Sequence, residues 1–196
     1  MFGELLAHPG VTEEMVVGGP VGVMAFHGGS LERMTDVIAD AVVAATGASS
    51  YIVRQPDDLQ WHIPSKLVDP VHSPKLGAFL DHVEFAVSLH GYGRDGLFTT
   101  LLAGGSNRDL AGHVAGHIRS TLPGYRVVDD LDEIPGELRG LHPDNPVNLP
   151  RSGGVQLELP PRVRGLGPWW DGRPHEGISP HTRDLVAGLV SALLDW

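Results

Sequence analysis

The chain has 196 residues and a mass of 20.9 kDa, enough for one domain with a buried core, so we expect a single domain over residues 1–196. Because there is no cysteine, disulfides, thiolate zinc sites and a cysteine nucleophile are excluded, and any metal site must use histidine and carboxylate. A net charge of −10 disfavours nucleic-acid binding, and no apolar run is long enough to span a membrane. No signal peptide is visible, which predicts a cytoplasmic protein unless lysis releases it.

The first third of the chain predicts a strand–helix–strand unit. A small strand within 11–19 precedes VGVMAF (21–26), an apolar run rich in valine and bounded by glycine, which is typical of a buried central strand. Ser30 is a candidate cap for a helix whose apolar residues recur every three to four positions up to Ala45, and Gly47 suits its end. ASSYIV (48–53) then predicts a second strand, parallel to the first.

The rest of the chain continues the alternation of strands and helices. Strands are expected at 85–93, 97–105, 125–131 and 154–161, and helices at 75–82, 107–124 and over the tail that Ser179 caps. Segments rich in proline and glycine predict loops at 54–72, 134–154 and 162–178. This order indicates one α/β domain with a mixed, largely parallel sheet flanked by helices.

Two of the predicted strands end in a His-Gly pair, at His27 and His90. In open α/β sheets, ligands bind outside the carboxyl ends of the strands, so these side chains are placed to converge. Glu32 follows His27 by five residues, beyond a Gly-Gly turn, and is expected in the first turn of the helix. Two histidines and one glutamate form the ligand set of a catalytic zinc site. The alternative is that each histidine only bonds backbone and that Glu32 stabilises a helix N-terminus.

A hydrolytic zinc site also needs a base that is not a ligand, and Glu158 is the candidate. Alternation along 154–161 places Gln156 and Glu158 on one face of a strand and apolar residues on the other. A carboxylate inside a sheet is costly unless it has a partner or a purpose. The alternative is a solvated edge strand with outward polar residues.

Arginine and asparagine side chains are candidates for holding a substrate carboxylate, because arginine captures carboxylates in bidentate fashion. Asn148 and Arg151 share the tract NPVNLPR, and His62 on the long loop is expected near the cleft. Further candidates are Arg162 and Arg164 after the last strand, and Arg108 at the start of the helix expected at 107–124.

Other patterns are interpreted as structural. His113 and His117 stand four apart on a helix but lack the glutamate of a zincin motif, so we expect them on the helix surface. Trp169 and Trp170 are expected in packing or an interface. A serine triad is disfavoured because no GxSxG elbow occurs.

The ordered segments AFHGGSLERMTDVIADAV, WHIPS, SLHGYG, LLAGGSNRDLA, NPVNLPR and GVQLELPP resemble the poly-γ-glutamate hydrolase family over roughly 20–195. These are small zinc peptidases of bacteria and their phages, with a fold similar to a trimmed zinc carboxypeptidase. The resemblance implies one zinc ion per chain, held by His27, Glu32 and His90, with Glu158 as the proton-transferring residue. It also implies that Asn107 with Arg108, and Asn148 with Arg151, hold the carboxylates of glutamyl units.

The function that follows is zinc-dependent hydrolysis of amide bonds beside carboxylates, such as the γ-glutamyl linkages of poly-γ-glutamate. Two alternatives stay open: an N-acyl amino-acid deacylase on the same scaffold, and a non-catalytic module that binds carboxylates. A structural phage component is a weaker third. The partner expected is a carboxylate-bearing amide substrate, with neither nucleic acid nor membrane, and the sequence does not indicate an oligomeric state.

Overall fold

The computed structural model describes residues 1–166 and 178–196, which form a seven-stranded mixed sheet with helices on both faces. The strands are Thr12–Val16 (β1), Gly19–Gly29 (β2), Ala48–Gln55 (β3), Phe85–Gly91 (β4), Thr100–Ala103 (β5), Arg126–Val128 (β6) and Gly154–Leu159 (β7). The helices are Phe2–Leu6 (α1), Thr35–Thr46 (α2), Pro74–His82 (α3), Arg108–Thr121 (α4) and Pro180–Leu194 (α5). The predicted fold class is confirmed.

The sheet has the order β1-β3-β2-β4-β7-β5-β6. Its centre is parallel, because β2 pairs in parallel with β3 and β4, and β4 pairs in parallel with β7. The β1–β3 and β5–β7 pairs are antiparallel. Strand β7 therefore lies inside the sheet, which rules out the solvated edge strand that the sequence left open.

Two apolar layers cover the sheet. Helices α2, α4 and α5 pack on one face over a core that includes Val23, Val87 and Leu157. Helices α1 and α3 cover part of the other face, with Met24, Phe26 and Phe79 between them and the strands. Both faces of the central strands are thus buried, which explains their near-continuous apolar sequences.

Helix α2 begins later than the sequence predicts. Its first residue is Thr35, and Ser30 is not its cap but donates a hydrogen bond to the Leu59 carbonyl. Residues 30–34 form a turn that ends at Met34 with a φ of 75°. Glu32 therefore lies in the turn before the helix, not in its first turn. The end of the helix is as predicted, because Gly47 adopts the left-handed conformation there.

Other boundaries differ in detail. Strand β5 covers only Thr100–Ala103 of the predicted 97–105, and β6 covers three residues. The segment after β7 begins buried, at Val163 and Arg164, so its start is not a surface loop. The expectations for Trp169 and Trp170 fall outside the described residues. Within 1–166 and 178–196, no helix is long and apolar enough to cross a membrane, and the cytoplasmic location stays a prediction.

Candidate metal and catalytic site

A cavity of about 560 Å³ opens at the carboxyl ends of β2, β4 and β7. His27 from β2, His90 from β4 and Glu158 from β7 all line it, together with Glu32 and His62. Parallel strands deliver these side chains to one edge of the sheet, as expected for an α/β fold. His90 and Glu158 are direct neighbours in the β4–β7 register.

Glu32 stands between the two histidines. Its Oε1 lies 2.9 Å from His27 Nδ1, and its Oε2 lies 3.3 Å from His90 Nδ1. The Gly91 N–H donates to Oε2 at 2.9 Å, so backbone also fixes the carboxylate. The three side chains that the sequence selected as metal ligands are therefore brought together.

The turn before α2 explains how Glu32 reaches this position. Its backbone N–H donates to the His27 carbonyl at 2.9 Å, and its own carbonyl accepts from Thr35 Oγ1 at 2.8 Å. Gly29, with a φ of 72°, lies so close to Gln55 that an added Cβ would meet its carbonyl oxygen at 2.2 Å. The glycine thus permits a close turn that a larger residue would prevent.

Both histidines are buried, and contacts with residues other than Glu32 also hold their imidazole rings. His27 Nε2 hydrogen-bonds the Ile63 carbonyl at 2.8 Å, which leaves Nδ1 facing Glu32. Phe26 packs edge-on against both imidazole rings, with centroids 4.9 and 4.8 Å away. His90 Nε2 is buried and has no hydrogen-bond partner among the described residues.

The charges in the cluster are strongly coupled. Burial by itself would raise the pKa of Glu32, but His27 and His90 lower it well below its ordinary value. Burial opposes protonation of His90, yet the Glu32 carboxylate outweighs this and raises the pKa of His90. Glu32 is therefore a carboxylate, which is the form that binds a cation.

This arrangement fits a divalent metal ion. A ligating histidine normally gives its second ring nitrogen to a backbone carbonyl or carboxylate, as His27 does with Ile63. His90 also directs Nδ1 at Glu32, but its second ring nitrogen, Nε2, has no such partner among the described residues. Two imidazole nitrogens and a carboxylate are also a donor set that zinc accepts.

His62 offers a second possibility for the third ligand. One donor atom each of His27, Glu32 and His62 lie within 4.8 Å of one another. His62 is exposed, however, while His90 is buried and contacts Glu32 directly. Partial desolvation and then the nearby His27 lower the pKa of His62.

Glu158 sits beside this cluster in a setting that disfavours its charge. It is 5% exposed, and burial raises the pKa of its carboxyl, although His90 acts in the opposite direction. Gln156 Nε2 donates to Glu158 Oε1 at 2.8 Å, and Asn145 Nδ2 donates to Gln156 Oε1 at 2.7 Å. The predicted alternation is confirmed, because Gln156 and Glu158 share one face while Leu157 packs in the core.

Gln156, Asn145 and Arg164 carry structural duties at the site that the sequence did not assign. Arg164 is buried beneath Gly91 and donates to the carbonyls of Leu159, Arg33 and Tyr92 at 3.1, 2.9 and 3.3 Å. It thereby joins the ends of β7 and β4 to the turn that carries Glu32. A single arginine in a Gly/Pro-rich segment gave no signal for this role.

The structure places the other substrate-binding candidates away from the cavity, because none of them is among its lining residues. Arg108 donates to the carbonyls of Gly105, Ala103 and Asp129, so its guanidinium is occupied by backbone. Asn107 caps α4 through Leu110 N–H and donates to Ser152. Asn148 accepts from Ser106 and donates to two carbonyls of the loop before β7.

Arg151 and Arg162 also lie elsewhere. Arg151 borders a hollow with Pro20, Asp81 and Glu84 at the opposite end of the sheet, before β7 begins. Strand β7 from Gly154 to Glu158 alone spans roughly 13 Å, at about 3.3 Å per residue, and this length separates the hollow at Arg151 from Glu158. Arg162 lies near Tyr125 and His181. Burial has the larger effect on the pKa values of these two side chains, and the charge of Arg162 acts to lower both.

His113 and His117 form a second group with Asp195, again with donor atoms within 4.8 Å of one another. They lie between α4 and α5 and not simply on a helix surface. His113 Nε2 bonds the Ala192 carbonyl at 3.0 Å, and His117 Nδ1 bonds Ser191 Oγ at 3.1 Å. These bonds between helices account for the pair without a metal.

Comparison with known proteins decides the family. A sequence model of the family described as poly-gamma-glutamate hydrolase matches residues 4–166, most of the chain. The chain belongs to the poly-gamma-glutamate hydrolase family. This membership confirms the predicted enzyme class, a hydrolase acting on γ-glutamyl linkages. No match was found among curated proteins.

Solved structures confirm the fold. A bacteriophage poly-gamma-glutamate hydrolase is 24% identical, with a TM-score of 0.78 over 95% of this chain and 89% of that one. YNDL in an apo, zinc-free form is 21% identical, also with a TM-score of 0.78, over 95% and 90% of the two chains. An N-acetylmuramoyl-L-alanine amidase of Nostoc punctiforme is more distant, at 12% identity and a TM-score of 0.53, over 91% and 98%.

Proposed function

We propose that this hydrolase of the poly-gamma-glutamate hydrolase family depends on zinc, with His27, Glu32 and His90 as the ligands and Glu158 as the proton-transferring residue. The observation that carries the proposal is the convergence of two imidazole Nδ1 atoms on the Glu32 carboxylate, next to a second buried carboxyl. Zinc is the metal expected of this donor set in a hydrolase, and one ion per chain is proposed.

The ligand cluster prepares the site before any metal arrives. The Ile63 carbonyl orients His27, and the Gly91 N–H and the turn at residues 30–34 orient Glu32. When bound there, zinc supplies Lewis-acid polarisation of the amide carbonyl and lowers the pKa of a water molecule. We choose His90 over His62 as third ligand because His90 is buried against Glu32.

Glu158 is suited to proton transfer. Burial raises the pKa of its carboxyl above the ordinary value, which makes the group a better proton acceptor than a free carboxylate. Gln156 holds Oε1 at 2.8 Å, so the carboxyl has a fixed orientation towards the cavity that it lines. In this mechanism Glu158 takes a proton from water and delivers it to the leaving amine nitrogen.

The cavity excludes neither a polymer nor a small amide. Its volume of about 560 Å³ lies within the usual range for ligand sites. The poly-γ-glutamate of the family name is the substrate we propose, since each of its units carries a carboxylate beside the amide bond to be cut.

The test is an assay of amine release from three substrates: a γ-linked glutamate oligomer, the α-linked oligomer of equal length, and N-acetylglutamate. We expect cleavage of the γ-linked oligomer, loss of activity with a chelator, and its recovery when zinc is returned. Turnover of N-acetylglutamate alone would identify the deacylase instead. Saturable binding without turnover of any substrate, with zinc present, would identify a binding module.

A further inference from the structure

Among the described residues that line the cavity, there is one lysine or arginine side chain. Lys66 lines the cavity, whereas the arginines that the sequence proposed for carboxylate binding are turned to backbone or to another end of the sheet. Arg164 lies beneath the cavity but donates to three carbonyl oxygens. Apart from the zinc proposed above, Lys66 is therefore the positive charge that a carboxylate meets among the described side chains of the cavity wall.

The backbone around Lys66 is well anchored. Lys66 lies in a 3₁₀ turn, Ser65–Leu67, in which Leu67 N–H donates to the Pro64 carbonyl at 2.7 Å. Ile63 on one side and Val68 on the other are buried in the core. The Ile63 carbonyl is also the atom that bonds His27 Nε2, so this turn is fixed relative to the candidate metal ligand.

The ammonium group itself is free to bind. Lys66 is exposed, and within 1–166 and 178–196 its side chain forms no hydrogen bond or ion pair. Glu137 lines the same cavity, but Arg94 pairs with it and lowers the pKa of its carboxyl. Glu137 is thus already paired, while the Lys66 ammonium is not.

Global electrostatics make such a local cation necessary. The chain carries a net charge of −10, which repels a polyanionic substrate at long range. Specific capture must then come from a short-range contact in the cavity. An ammonium group suits this task, since it is a compact charge with three donors on a flexible stem.

We propose that Lys66 binds the free carboxylate of a glutamyl unit and so determines specificity for polyanionic γ-glutamyl chains over neutral amides. The proposal rests on the function proposed above and names the residue that recognises the substrate. Lys66 acts on binding and not on bond cleavage.

The chain offers a matched control, because its only other lysine is Lys75. Lys75 Nζ donates to the Glu13 carbonyl at 2.7 Å and does not line the cavity. The variants to compare are Lys66→Met, Lys66→Arg and Lys75→Met. The two ligands are a γ-linked glutamate oligomer and the same oligomer with its α-carboxylates converted to primary amides.

Kinetics and titration calorimetry on the zinc-loaded protein would measure KM, kcat and Kd. We expect Lys66→Met to raise KM and Kd for the acidic oligomer about 10- to 100-fold with little change in kcat. Lys66→Arg should keep KM and Kd for the acidic oligomer close to the wild-type values, and Lys75→Met should match wild type. The amidated oligomer should bind wild type and Lys66→Met equally weakly.

Equal effects of Lys66→Met on the acidic and amidated oligomers, or no effect on either, would overturn the role of Lys66. If wild type cleaves the γ-linked oligomer and Lys66→Met changes neither KM nor Kd, the proposed hydrolase stands and only the role of Lys66 is removed. If wild type cleaved neither oligomer, the hydrolase proposal would fail. Calorimetry would then still decide whether Lys66 binds the acidic chain, and absence of binding to wild type would overturn both.

Discussion

At the residue scale, the site depends on carboxyl groups that are identical in chemistry but different in surroundings. Glu32 faces two imidazoles that lower its pKa, whereas burial raises the pKa of Glu158. One group is thus kept charged for a cation, and the other is kept ready to exchange a proton. Their separate duties follow from their neighbours and not from their residue type.

Replacing Glu158 tests the proton-transfer role. Glu158→Gln keeps the shape and the contact with Gln156 but cannot accept a proton, so we expect kcat to fall about 10²–10⁴-fold. Zinc content should equal that of wild type, because Glu158 is not a proposed ligand. Activity above a tenth of wild type would contradict the assignment.

Gln156 is a positioning residue whose removal should affect rate more than binding. Gln156→Leu deletes the hydrogen bond to Glu158 Oε1 and leaves the Asn145 amide with only the longer bond, 3.3 Å, to the Gly140 carbonyl. We expect kcat to fall roughly tenfold with KM nearly unchanged. Steady-state kinetics on the γ-linked oligomer would measure both constants.

Ser88 provides the control for that variant. It is the neighbour of Gln156 across the β4–β7 pair, and its hydroxyl is buried without a partner in the described part of the chain. Ser88→Ala therefore removes a buried group at the same level of the sheet and should leave kcat unchanged. A similar loss of kcat in both variants would point to general disturbance of the strands.

At the element scale, the sequence predicted the elements better than their ends. Apolar periodicity identified β2, β4, β7 and the main helices, because burial on a sheet face or helix stripe dictates those patterns. The start of α2 was misplaced because apolar spacing continues through Leu31 and Met34, which precede the helix. Residues 30–34 are held as a turn by bonds to distant segments: Ser30 Oγ donates to the Leu59 carbonyl, and Gly91 N–H donates to the Glu32 carboxylate.

Side-chain direction explains which site residues could be predicted. His27, His90 and Glu158 follow from strand ends and alternation, since those rules fix where a side chain points, whereas Glu32 was proposed only from its spacing after His27. Arg108 has a long side chain whose direction depends on which carbonyls lie nearby, here those of Ala103 and Asp129. Lys66 carries no sequence pattern, so its place in the cavity emerges only from the folded loop.

Glycine substitutions test the account of the helices. Gly116 is exposed inside α4 and an added Cβ would meet nothing within 4 Å, so Gly116→Ala should stabilise the protein by about 0.5–1 kcal/mol. Gly47 also has open space but a φ of 69°, so Gly47→Ala should destabilise by about 1 kcal/mol. Urea unfolding of both variants beside wild type would measure the two changes. If both substitutions raised the free energy of unfolding, or both lowered it, this interpretation of the two glycines would be wrong.

At the scale of the whole molecule, the parallel centre of the sheet creates the site. Strands β2, β4 and β7 run in one direction, so their carboxyl ends meet at one edge with two histidines and a glutamate. Arg164 connects β4, β7 and the turn of Glu32 through carbonyl groups. The hollow beside Arg151 at the opposite end is lined by other residues, among them Asp81, His82 and Glu84.

The same architecture separates the candidate zinc site from the group at His113, His117 and Asp195, which lies where α4 meets α5. A measurement of metal content must therefore distinguish two histidine groups. His117→Ala serves as the matched control, since it removes a histidine of the second group without touching the cavity. His62→Ala tests the competing third ligand.

The decisive measurement is zinc content by mass spectrometry on purified wild type and on His27→Ala, His90→Ala, His62→Ala and His117→Ala. We expect about one zinc per chain in wild type, His62→Ala and His117→Ala, and loss of that zinc in His27→Ala and His90→Ala. Full zinc content in His90→Ala with loss in His62→Ala would move the third ligand to His62. No zinc in wild type after zinc is supplied would contradict the metal site altogether.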